Sequence, residues 1–562
     1  MDTGVTHATE QPSELHRTIN WKDAFWVASG VPALVLFSIG GIAGTVGNPA
    51  FAVWAVSMLF GFIQSFTYAE IAGLFPNKSG GASVYGAAAW LKYSKLIAPL
   101  SVWCNWLAWT PVLSLGCTIA AGYILNAFAP IPAAESPDVQ QWLAAHAGRS
   151  PGDAVIALTP AIRTWSLLDA TVFGVHLSLG ATFFIGVALT LIVFAIQHRG
   201  ILGTARVQLV IGLLVIVPML IFGIVPFFNG NVHSSNFSPL VPLAVPSTAT
   251  PGVWDRAGWT LVLGGLFIAA WSTYAFETAI CYTSEFKDPG RDTFKAIFSS
   301  GLLCIVIFTL VPFTFQGFLG VQGMIAPGVV DGTGVAEVMA NMVSGGAMTR
   351  QLLVLLMVLA LLLSTMTAMA GSSRTLYQGS VDGWLPRYLS HVNSHGAPTR
   401  AMLTDLSFNL MLLTLTTSDT TSFYFVLALS NCGYIIFNFL NLNAGWIHRI
   451  DSGHISRPWK APTIVIAAGT VLAFVNAMLL GAGARVWNPH ALWAGFAAAA
   501  LIVPVFWVRH YLQDGGKFPA SMLEDLGSVD GQLGERRAGI LPYVALAGGV
   551  LVVLVSSWIF KR

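Results

Sequence analysis

The sequence predicts an all-α polytopic membrane protein, and two observations carry that prediction. The first is the composition, since 55% of the 562 residues are hydrophobic and only 9% are charged, whereas a soluble domain is about 25% charged. The second is that the apolar residues form long runs, each close to the roughly 20 residues that a helix needs to cross a bilayer. The lipid bilayer is therefore the first partner that the composition implies, and a net charge of +2 gives no reason to expect nucleic acid.

The apolar runs predict twelve spans in order, and a thirteenth near the end of the chain. They cover 24–46, 50–74, 96–127, 172–196, 205–228, 258–283, 294–319, 350–373, 401–417, 421–445, 461–483, 490–509 and 539–560. Gly47-Asn48-Pro49 separates the first two, because Gly and Pro interrupt helices. We expect a cytoplasmic N-terminal tail (1–22), a first set of five helices (23–228), a second set (258–445), helices 11 and 12 (461–509), a cytoplasmic linker (510–538) and a thirteenth helix (539–562).

Lys and Arg are distributed unevenly between alternate connectors, which predicts the orientation in the membrane. With a cytoplasmic N-terminus, 20 of the 27 basic residues fall on the inner side and five on the outer side. The other two, Lys561 and Arg562, fall outside only if the thirteenth span crosses the membrane. We therefore predict a multi-pass protein of the cell (inner) membrane with its N-terminus in the cytoplasm.

Residues that carry catalysis or metal binding form no recognisable pattern. All five cysteines lie inside apolar runs, where no disulfide framework is expected. The twelve histidines lack metal-site spacing such as HExxH, and no nucleophile–base pair is visible. We therefore expect no catalytic residue, no metal and no cofactor, and the sequence does not favour an enzyme.

The first and sixth spans carry small-residue clusters at corresponding places in the two sets of five. The clusters are Ser38-Ile39-Gly40-Gly41-Ile42 in the first span, and Gly264-Gly265 with Ala270-Trp271-Ser272 in the sixth. Matching Gly-interrupted spans are the best sequence indication of a transporter binding site, although glycines also allow membrane helices to pack closely. We predict that both spans are unwound, at 38–41 and at 270–274.

The stretch 258–295 contains the sixth span and combines a membrane run with polar residues. Trp271-Ser272-Thr273-Tyr274 and Glu277 interrupt the run, and alternating charges around Pro289-Gly290 end it. An ionisable residue inside a span is by default functional, although Glu277 could instead pair with a neighbouring helix for packing alone. In a regular α-helix Trp271 and Glu277 lie roughly 120° from eclipsed, so they share a face only if the helix is broken between them.

Short motifs between the spans resemble, in order and spacing, those of the amino acid–polyamine–organocation transporter superfamily. They are Tyr68-Ala69-Glu70, Phe75-Pro76 and Gly80-Gly81-Ala82-Ser83-Val84-Tyr85 after the second span, Arg199-Gly200-Ile201 and Ala205-Arg206-Val207-Gln208 after the fourth, Glu285-Phe286-Lys287-Asp288-Pro289-Gly290-Arg291-Asp292 after the sixth, and Gly371-Ser372-Ser373-Arg374 and Asp382-Gly383-Trp384-Leu385-Pro386 after the eighth. Each motif is weak alone, whereas together they make the resemblance specific over spans 1 to 10.

The resemblance implies an inverted five-plus-five helix repeat of the leucine-transporter type, followed by two or three extra C-terminal helices. It implies a substrate bound mid-membrane at two broken helices, where backbone N–H groups suit a carboxylate and carbonyls suit an ammonium. Residues 270–278 further resemble the WSFxGxES stretch of the arginine–agmatine antiporter branch, which makes Trp271 a substrate-stacking aromatic and Glu277 an internal gate and proton-sensitive carboxylate. The substrate-binding residues expected on this basis are Ser38, Ile39, Gly40, Gly41, Ile42, Trp109, Leu113, Ala270, Trp271, Ser272 and Tyr274.

The chain departs from that branch at positions that bear on substrate and coupling. Trp109 and Leu113 stand where the arginine carrier has polar residues, which favours an apolar or aromatic substrate. The usual GSGIF of the first span is absent, and its register could shift three or four residues toward Leu34. Val215 stands where some proton-coupled relatives have a lysine. Thr367 lies near the place of a sodium ligand in sodium-coupled relatives, although a lone Thr on a helix usually bonds its own backbone.

The function predicted is secondary active transport of amino acids or related amines by alternating access, through exchange or proton coupling, by a monomer or a homodimer. The alternatives are a sodium-coupled symporter and a non-transporting nutrient sensor on the same fold. A channel would need a continuous polar lining, and these spans offer too few polar positions.

Overall fold

Long apolar helices make up most of the chain that the computed structural model describes, which is residues 15–132, 134–146, 148–172, 175–330, 332–418, 420–520, 522 and 536–561. We number the long helices in chain order as spans 1 to 13. They are Trp21–Val46, Ala50–Ala72, Ile97–Phe128, Ala181–Gln197, Ile201–Phe228, Arg256–Glu285, Pro289–Met324, Ala347–Val381, Thr399–Thr416, Thr420–Asp451, Thr463–Trp487, Ala491–Gln513 and Leu541–Ile559.

Eleven of these spans are long and apolar enough to cross a membrane, within the described residues. Span 4 is shorter, and span 9 is interrupted by polar residues such as Asp405 and Asn409. The apolar parts of spans 1 and 6 are 78% and 83% buried, more than those of the other nine, whereas span 13 is only 28% buried. The two spans that open the sets of five thus form the centre of the bundle, and span 13 lies at its edge. The predicted all-α polytopic fold is confirmed.

Shorter elements connect the spans. They are the helices Ala82–Leu91, Pro137–Ala145, Pro151–Leu158, Ala161–Thr164, Pro327–Val330 and Val335–Met342, the 3₁₀ turns Ser234–Phe237 and Arg387–Ser390, and the antiparallel strands Ser166–Val172 and Val175–Gly180. The predicted tail (1–22) and linker (510–538) lie partly outside the described residues.

The start of span 4 differs from the sequence prediction. Residues 172–180 were expected to open the helix, but the described ones among them, 172 and 175–180, belong to the two strands, and the helix begins at Ala181. The reason lies in the local pattern, because Val175, Leu177 and Leu179 alternate with polar side chains at the two-residue period of a strand. Counting apolar residues over a long window does not detect the change from the two-residue period of a strand to the period of a helix.

Span 1 is not unwound at 38–41, so that prediction is wrong. Its backbone is continuously helical from Val35 to Val46, and turns interrupt the span earlier, at Ser29 and Leu34. The glycines there serve close packing instead, since a side chain on Gly40 would collide with the Val329 carbonyl. The interruption therefore matches the alternative register toward Leu34.

Span 6 is tightened rather than unwound at the predicted place. Ala270–Tyr274 is a 3₁₀ helix, Ala275–Thr278 is one α-helical turn, and Ala279–Glu285 is again 3₁₀. A stretch of 3₁₀ in the middle of a helix often marks a functional hinge. The location of the irregularity was predicted correctly, and its conformation was not.

Charged residues of the motifs pair with one another on one face of the protein. This N-terminal face holds the start of span 1 and the connectors that follow even-numbered spans. Arg374 binds Glu285 through Nε at 2.6 Å, and Lys78 binds Asp382 at 2.6 Å. Glu70 accepts from Arg449 in the last turn of span 10 and from Arg457 after it. The motifs thus hold the ends of spans 2, 6, 8 and 10 together.

Candidate functional site

A cavity lies midway along the bundle, at the interruptions of spans 1 and 6. Spans 1, 3, 6, 8, 10 and 11 line it, and the space between them, counted together with its open mouth, is about 850 Å³. None of the described residues that line it is charged. Its polar groups are the hydroxyls of Ser38, Ser364, Ser430, Tyr274 and Tyr424, together with the indole N–H groups of its tryptophans.

Five of the predicted binding residues line this cavity. They are Ser38, Gly41, Trp109, Trp271 and Tyr274. The sequence prediction therefore located the cavity on the correct three spans, although whether these residues bind a substrate stays a prediction.

The other six predicted binding residues do not line the cavity: Ile39, Gly40, Ile42, Leu113, Ala270 and Ser272. Regular helix geometry explains most of these positions, since residues three and four apart share a face. Leu34, Phe37, Ser38 and Gly41 form the side of span 1 that lines the cavity. Ile39, Gly40 and Ile42 lie on its other sides and are buried in packing.

The 3₁₀ turn decides which residues of span 6 reach the cavity. Ile268, Trp271 and Tyr274 recur every three residues and all line it. This is the period of a 3₁₀ helix, which has three residues per turn and therefore eclipses them. Ala270 and Ser272 consequently point elsewhere, and the Ser272 hydroxyl donates to the Ala269 carbonyl at 2.7 Å.

Glu277, three residues after Tyr274, does not line the cavity but contacts Trp109, which does. Its side chain is fully buried, and its two oxygens accept from the Trp109 indole N–H at 3.3 Å and from the Ala82 backbone N–H at 3.1 Å. The Trp109 ring also contacts Tyr274, with 4.4 Å between ring centroids. Trp109 thus touches the cavity on one side and the buried carboxylate on the other.

The connector between spans 2 and 3 supplies the other half of the Glu277 site. Ala82 begins the helix Ala82–Leu91, whose N-terminal end carries partial positive charge that favours an anion. Gly81 precedes it with φ +80°, and a side chain there would lie 3.1 Å from Glu277 Oε2. The Gly-Gly motif noted in the sequence is therefore part of this site.

A buried hydrogen-bond network surrounds the tightened turn, and sequence reasoning did not identify it. Gln64 donates to the Thr273 carbonyl at 3.0 Å and to the Tyr434 hydroxyl at 2.9 Å, and Tyr434 also bonds the Thr273 hydroxyl. The Tyr274 hydroxyl donates to Asn105 Oδ1 at 3.3 Å. These groups hold the turn in place from spans 2, 3 and 10.

Span 10 also contributes cavity residues that were not predicted. Phe423, Tyr424, Leu427 and Ser430 line the cavity at helical spacing. An aromatic pair followed by a serine on one helical face was the available signal, but apolar faces of this kind occur on many membrane helices. The Tyr424 hydroxyl donates to the Val330 carbonyl at 2.9 Å, which ties the cavity to the helix Pro327–Val330.

The interruption of span 1 is held by polar side chains of spans 5 and 8. The Thr367 hydroxyl donates to the Val27 carbonyl at 2.7 Å and to Leu363 at 3.1 Å. Gln208 directs its amide nitrogen at the Thr367 hydroxyl (2.9 Å) and at the carbonyls of Val27 (3.3 Å) and Leu363 (3.4 Å). The neutral amide of Gln208 therefore donates to the oxygens that surround Thr367, the residue near the expected place of a sodium ligand.

A second buried carboxylate, Asp405 on span 9, was also missed. It accepts from the Trp106 indole N–H at 2.7 Å and from the Ser372 hydroxyl. It does not line the cavity, so it serves as a matched comparison for Glu277.

Comparison with known protein families gives one match. A family model described as "Amino acid permease" matches residues 19–505 of the chain. The matched segment contains every residue that lines the cavity, together with Glu277, and it ends within span 12. Span 13 lies beyond it.

Proposed function

The chain belongs to the amino acid permease family, whose members transport amino acids or related amines, and on that premise we propose that it is a secondary active transporter. We propose alternating access as the mechanism and an amino acid with an apolar or aromatic side chain as the substrate. The protein is a multi-pass membrane protein, and we place it in the cell (inner) membrane with a cytoplasmic N-terminus.

The single observation that best supports this substrate class is the lining of the cavity. Aromatic and aliphatic side chains surround the space where a substrate side chain would lie, and none of the described lining residues is charged. A guanidinium without hydrogen-bond acceptors would lose several kcal/mol on leaving water. For this reason we do not propose arginine or agmatine as the substrate.

Trp271 is the group at the tightened turn that we propose for contact with the substrate. Its indole N–H is buried and has no acceptor among the described residues. The Trp271 ring lines the cavity and offers its face to the substrate ammonium or side chain. Its edge-to-face contacts with Trp54 and Phe308, at 6.4 and 5.6 Å between centroids, fix the ring from behind.

Glu277 is the group that we propose for coupling. A buried carboxylate whose donors are a neutral indole and a backbone amide exchanges readily between charged and neutral forms. Because Trp109 joins it to the cavity, a change of protonation alters the same indole that borders the substrate. Proton coupling or pH-sensitive exchange follows from this connection.

Sodium coupling is the second candidate, and the Gln208 contacts argue against it. The amide nitrogen already donates to the oxygens that a sodium ion would require. We therefore expect transport to continue when sodium is replaced by potassium or choline.

The test is transport by the purified protein in liposomes with a panel of labelled amino acids and amines. We expect labelled leucine or phenylalanine to enter faster than arginine or agmatine, and entry to depend on internal amino acid or on a pH gradient. Preference for arginine would contradict the proposed substrate class, and a strict sodium requirement would contradict the coupling. Substrate binding without any flux would instead indicate a sensor.

A further inference from the structure

A second cavity lies at the edge of the bundle, away from the proposed transport site. It is a groove between spans 3, 10, 11, 12 and 13 with an empty volume of about 1380 Å³, and all of its lining residues are apolar. Leu100, Phe439, Leu480, Phe496 and Val550 represent the five spans. We call it the lateral groove.

Span 13 forms one wall of this groove and does not close it. Leu546, Gly549, Val550, Val553 and Leu554 recur at three- and four-residue spacing and turn one continuous face toward it. Gly549 lets span 13 approach Phe439 closely, since a side chain there would collide with the ring. The groove is open on its outer side, where Val550 and Leu554 are 59% and 52% exposed, so within a membrane its apolar walls face lipid acyl chains.

Basic residues gather at one end of the lateral groove. Lys95 directly precedes Leu96, which lines the groove, and Arg536 and Arg537 precede span 13. Lys95, Arg536 and Arg537 are exposed. All three lie on the N-terminal face.

Hydrogen bonds hold these two connectors side by side. Asp451 accepts from the Tyr93 hydroxyl at 2.8 Å and from the Ala538 backbone N–H at 3.0 Å. The Tyr543 hydroxyl donates to the Tyr93 carbonyl at 2.7 Å. Burial lowers the pKa of Lys92, and repulsion from Arg537 lowers it further, against the attraction of Asp451. Cations from the two connectors are therefore close enough to interact.

We propose that the lateral groove binds an anionic phospholipid, with an acyl chain along the apolar walls and the phosphate against Lys95, Arg536 and Arg537. Basic pockets between membrane helices are typical sites for acidic headgroups. Apolar walls alone would accept any lipid, so the basic end is what selects an anionic one. The site is separate from the transport cavity, and its span 13 wall lies outside the family match.

The test is native mass spectrometry of the full chain in detergent, with dioleoylphosphatidylglycerol or dioleoylphosphatidylcholine added. We expect the wild-type protein to bind the anionic lipid more tightly. The variant Lys95→Gln/Arg536→Gln/Arg537→Gln should lose this preference, with an affinity at least about tenfold lower. The control Lys22→Gln/Arg199→Gln/Arg206→Gln removes three other exposed cations from the same face and should keep it. Equal binding of both lipids by the wild type, or equal losses in the two variants, would overturn the proposal.

A second pair of variants tests the groove itself. Val550→Trp fills it, whereas Leu551→Trp enlarges a neighbouring exposed residue that does not line it. We expect Val550→Trp to abolish binding of the anionic lipid and Leu551→Trp to leave it unchanged. If Val550→Trp instead converts a dimer to a monomer and leaves lipid binding intact, the groove accommodates a second copy of the chain and the proposal is wrong.

Discussion

Glu277 is a buried carboxylate whose bonded partners are neutral and include a residue that lines the cavity, Trp109. Glu285 is neutralised by Arg374, whereas Glu277 has an indole N–H and a backbone N–H. An unpaired buried charge is unfavourable, so the neutral form of Glu277 is accessible. This chemistry follows from the contacts of one residue, and the sequence alone supplied only the position of the carboxyl group inside a span.

Glu277→Gln is expected to remove pH sensitivity while retaining exchange. The amide preserves the shape and can accept one of the two N–H bonds, but it cannot bind or release a proton. A gradient of one pH unit, which corresponds to about 1.4 kcal/mol per proton, can drive at most about tenfold accumulation at one proton per substrate. We expect the variant to lose this accumulation and its pH profile in liposome uptake.

Asp405→Asn is the control for that experiment. It changes another fully buried carboxyl group that also accepts from a tryptophan, but on span 9 and away from the cavity lining. It should retain the wild-type pH profile. An unaltered profile in Glu277→Gln would make Glu277 a structural residue and leave the proposed coupling without support.

Trp271→Leu is expected to weaken substrate binding. Loss of an aromatic face against a cation removes about 0.5–2 kcal/mol, which corresponds to roughly 2- to 30-fold in affinity. Scintillation proximity binding measures the change directly. Trp558→Leu, at a residue that is 75% exposed at the edge of the bundle, is the control. Equal affinity in the two variants would place Trp271 outside the substrate site.

At the scale of elements, the irregular parts of spans 1 and 6 show what a sequence can and cannot specify. Small residues marked both spans correctly, because close approach and helix interruption both need them. The small residues did not show whether a glycine such as Gly40 serves close packing or marks an interrupted backbone. The difference depends on whether another segment of the chain packs against that glycine. Val329, nearly 290 positions later in the sequence, is what packs there.

The 3₁₀ turn of span 6 was equally inaccessible from the sequence. Trp271 and Glu277 were expected to share a face only if the helix broke between them. The tightened turn aligns Trp271 with Tyr274, whereas Glu277 lies in the α-helical turn that follows and does not line the cavity, so a shared face stays a prediction. Contacts from Gln64 and Tyr434 to Thr273 accompany that conformation, and they join segments that are distant in the sequence.

Gly81→Ala tests the contact between the span 2–3 connector and span 6. Gly81 has φ +80°, and an added methyl group would lie 2.8 Å from Cys281 Sγ and 3.1 Å from Glu277 Oε2. We expect it to displace the Ala82 N–H from Glu277 and reduce the transport rate about tenfold or more. The measurement is initial uptake rate, normalised to folded protein.

Gly148→Ala is a closely matched control, because Gly148 has φ +85° and nothing within 4 Å of an added methyl group. Both variants carry the backbone strain of a left-handed residue, of order 1–2 kcal/mol, and only Gly81→Ala adds the collision. Similar transport rates in the two variants would mean that the connector contact does not serve function.

At the scale of the whole molecule, composition and the apolar runs were enough for the all-α polytopic architecture, whereas the orientation drawn from the basic residues stays a prediction. Apolar runs locate most of the spans because each must satisfy its own backbone hydrogen bonds within the membrane. The cavity was only half predicted, since five lining residues were identified and the contributions of spans 8, 10 and 11 were not. Those spans meet spans 1 and 6 only through tertiary packing, which leaves no local mark on their sequences.

Span 13 carries the last prediction, which concerns the two ends of the molecule. Its 19 residues extend about 28 Å as a helix, close to the thickness of a hydrocarbon core of about 30 Å. Arg536 and Arg537 hold its start on the N-terminal face, so Lys561 should emerge on the opposite face, against the usual preference of basic residues.

Labelling of an added cysteine with a membrane-impermeant maleimide tests this, because the five native cysteines are all buried. A cysteine placed after the C-terminal residue should react from the same side as Arg256→Cys, which begins span 6 on the opposite face. It should not react from the side that labels Lys22→Cys. Reaction together with Lys22→Cys would mean that span 13 does not cross the membrane. The side chains of span 13 would then line the lateral groove without the helix crossing the bilayer. The position proposed for the lipid phosphate, beside Arg536 and Arg537, would then no longer hold.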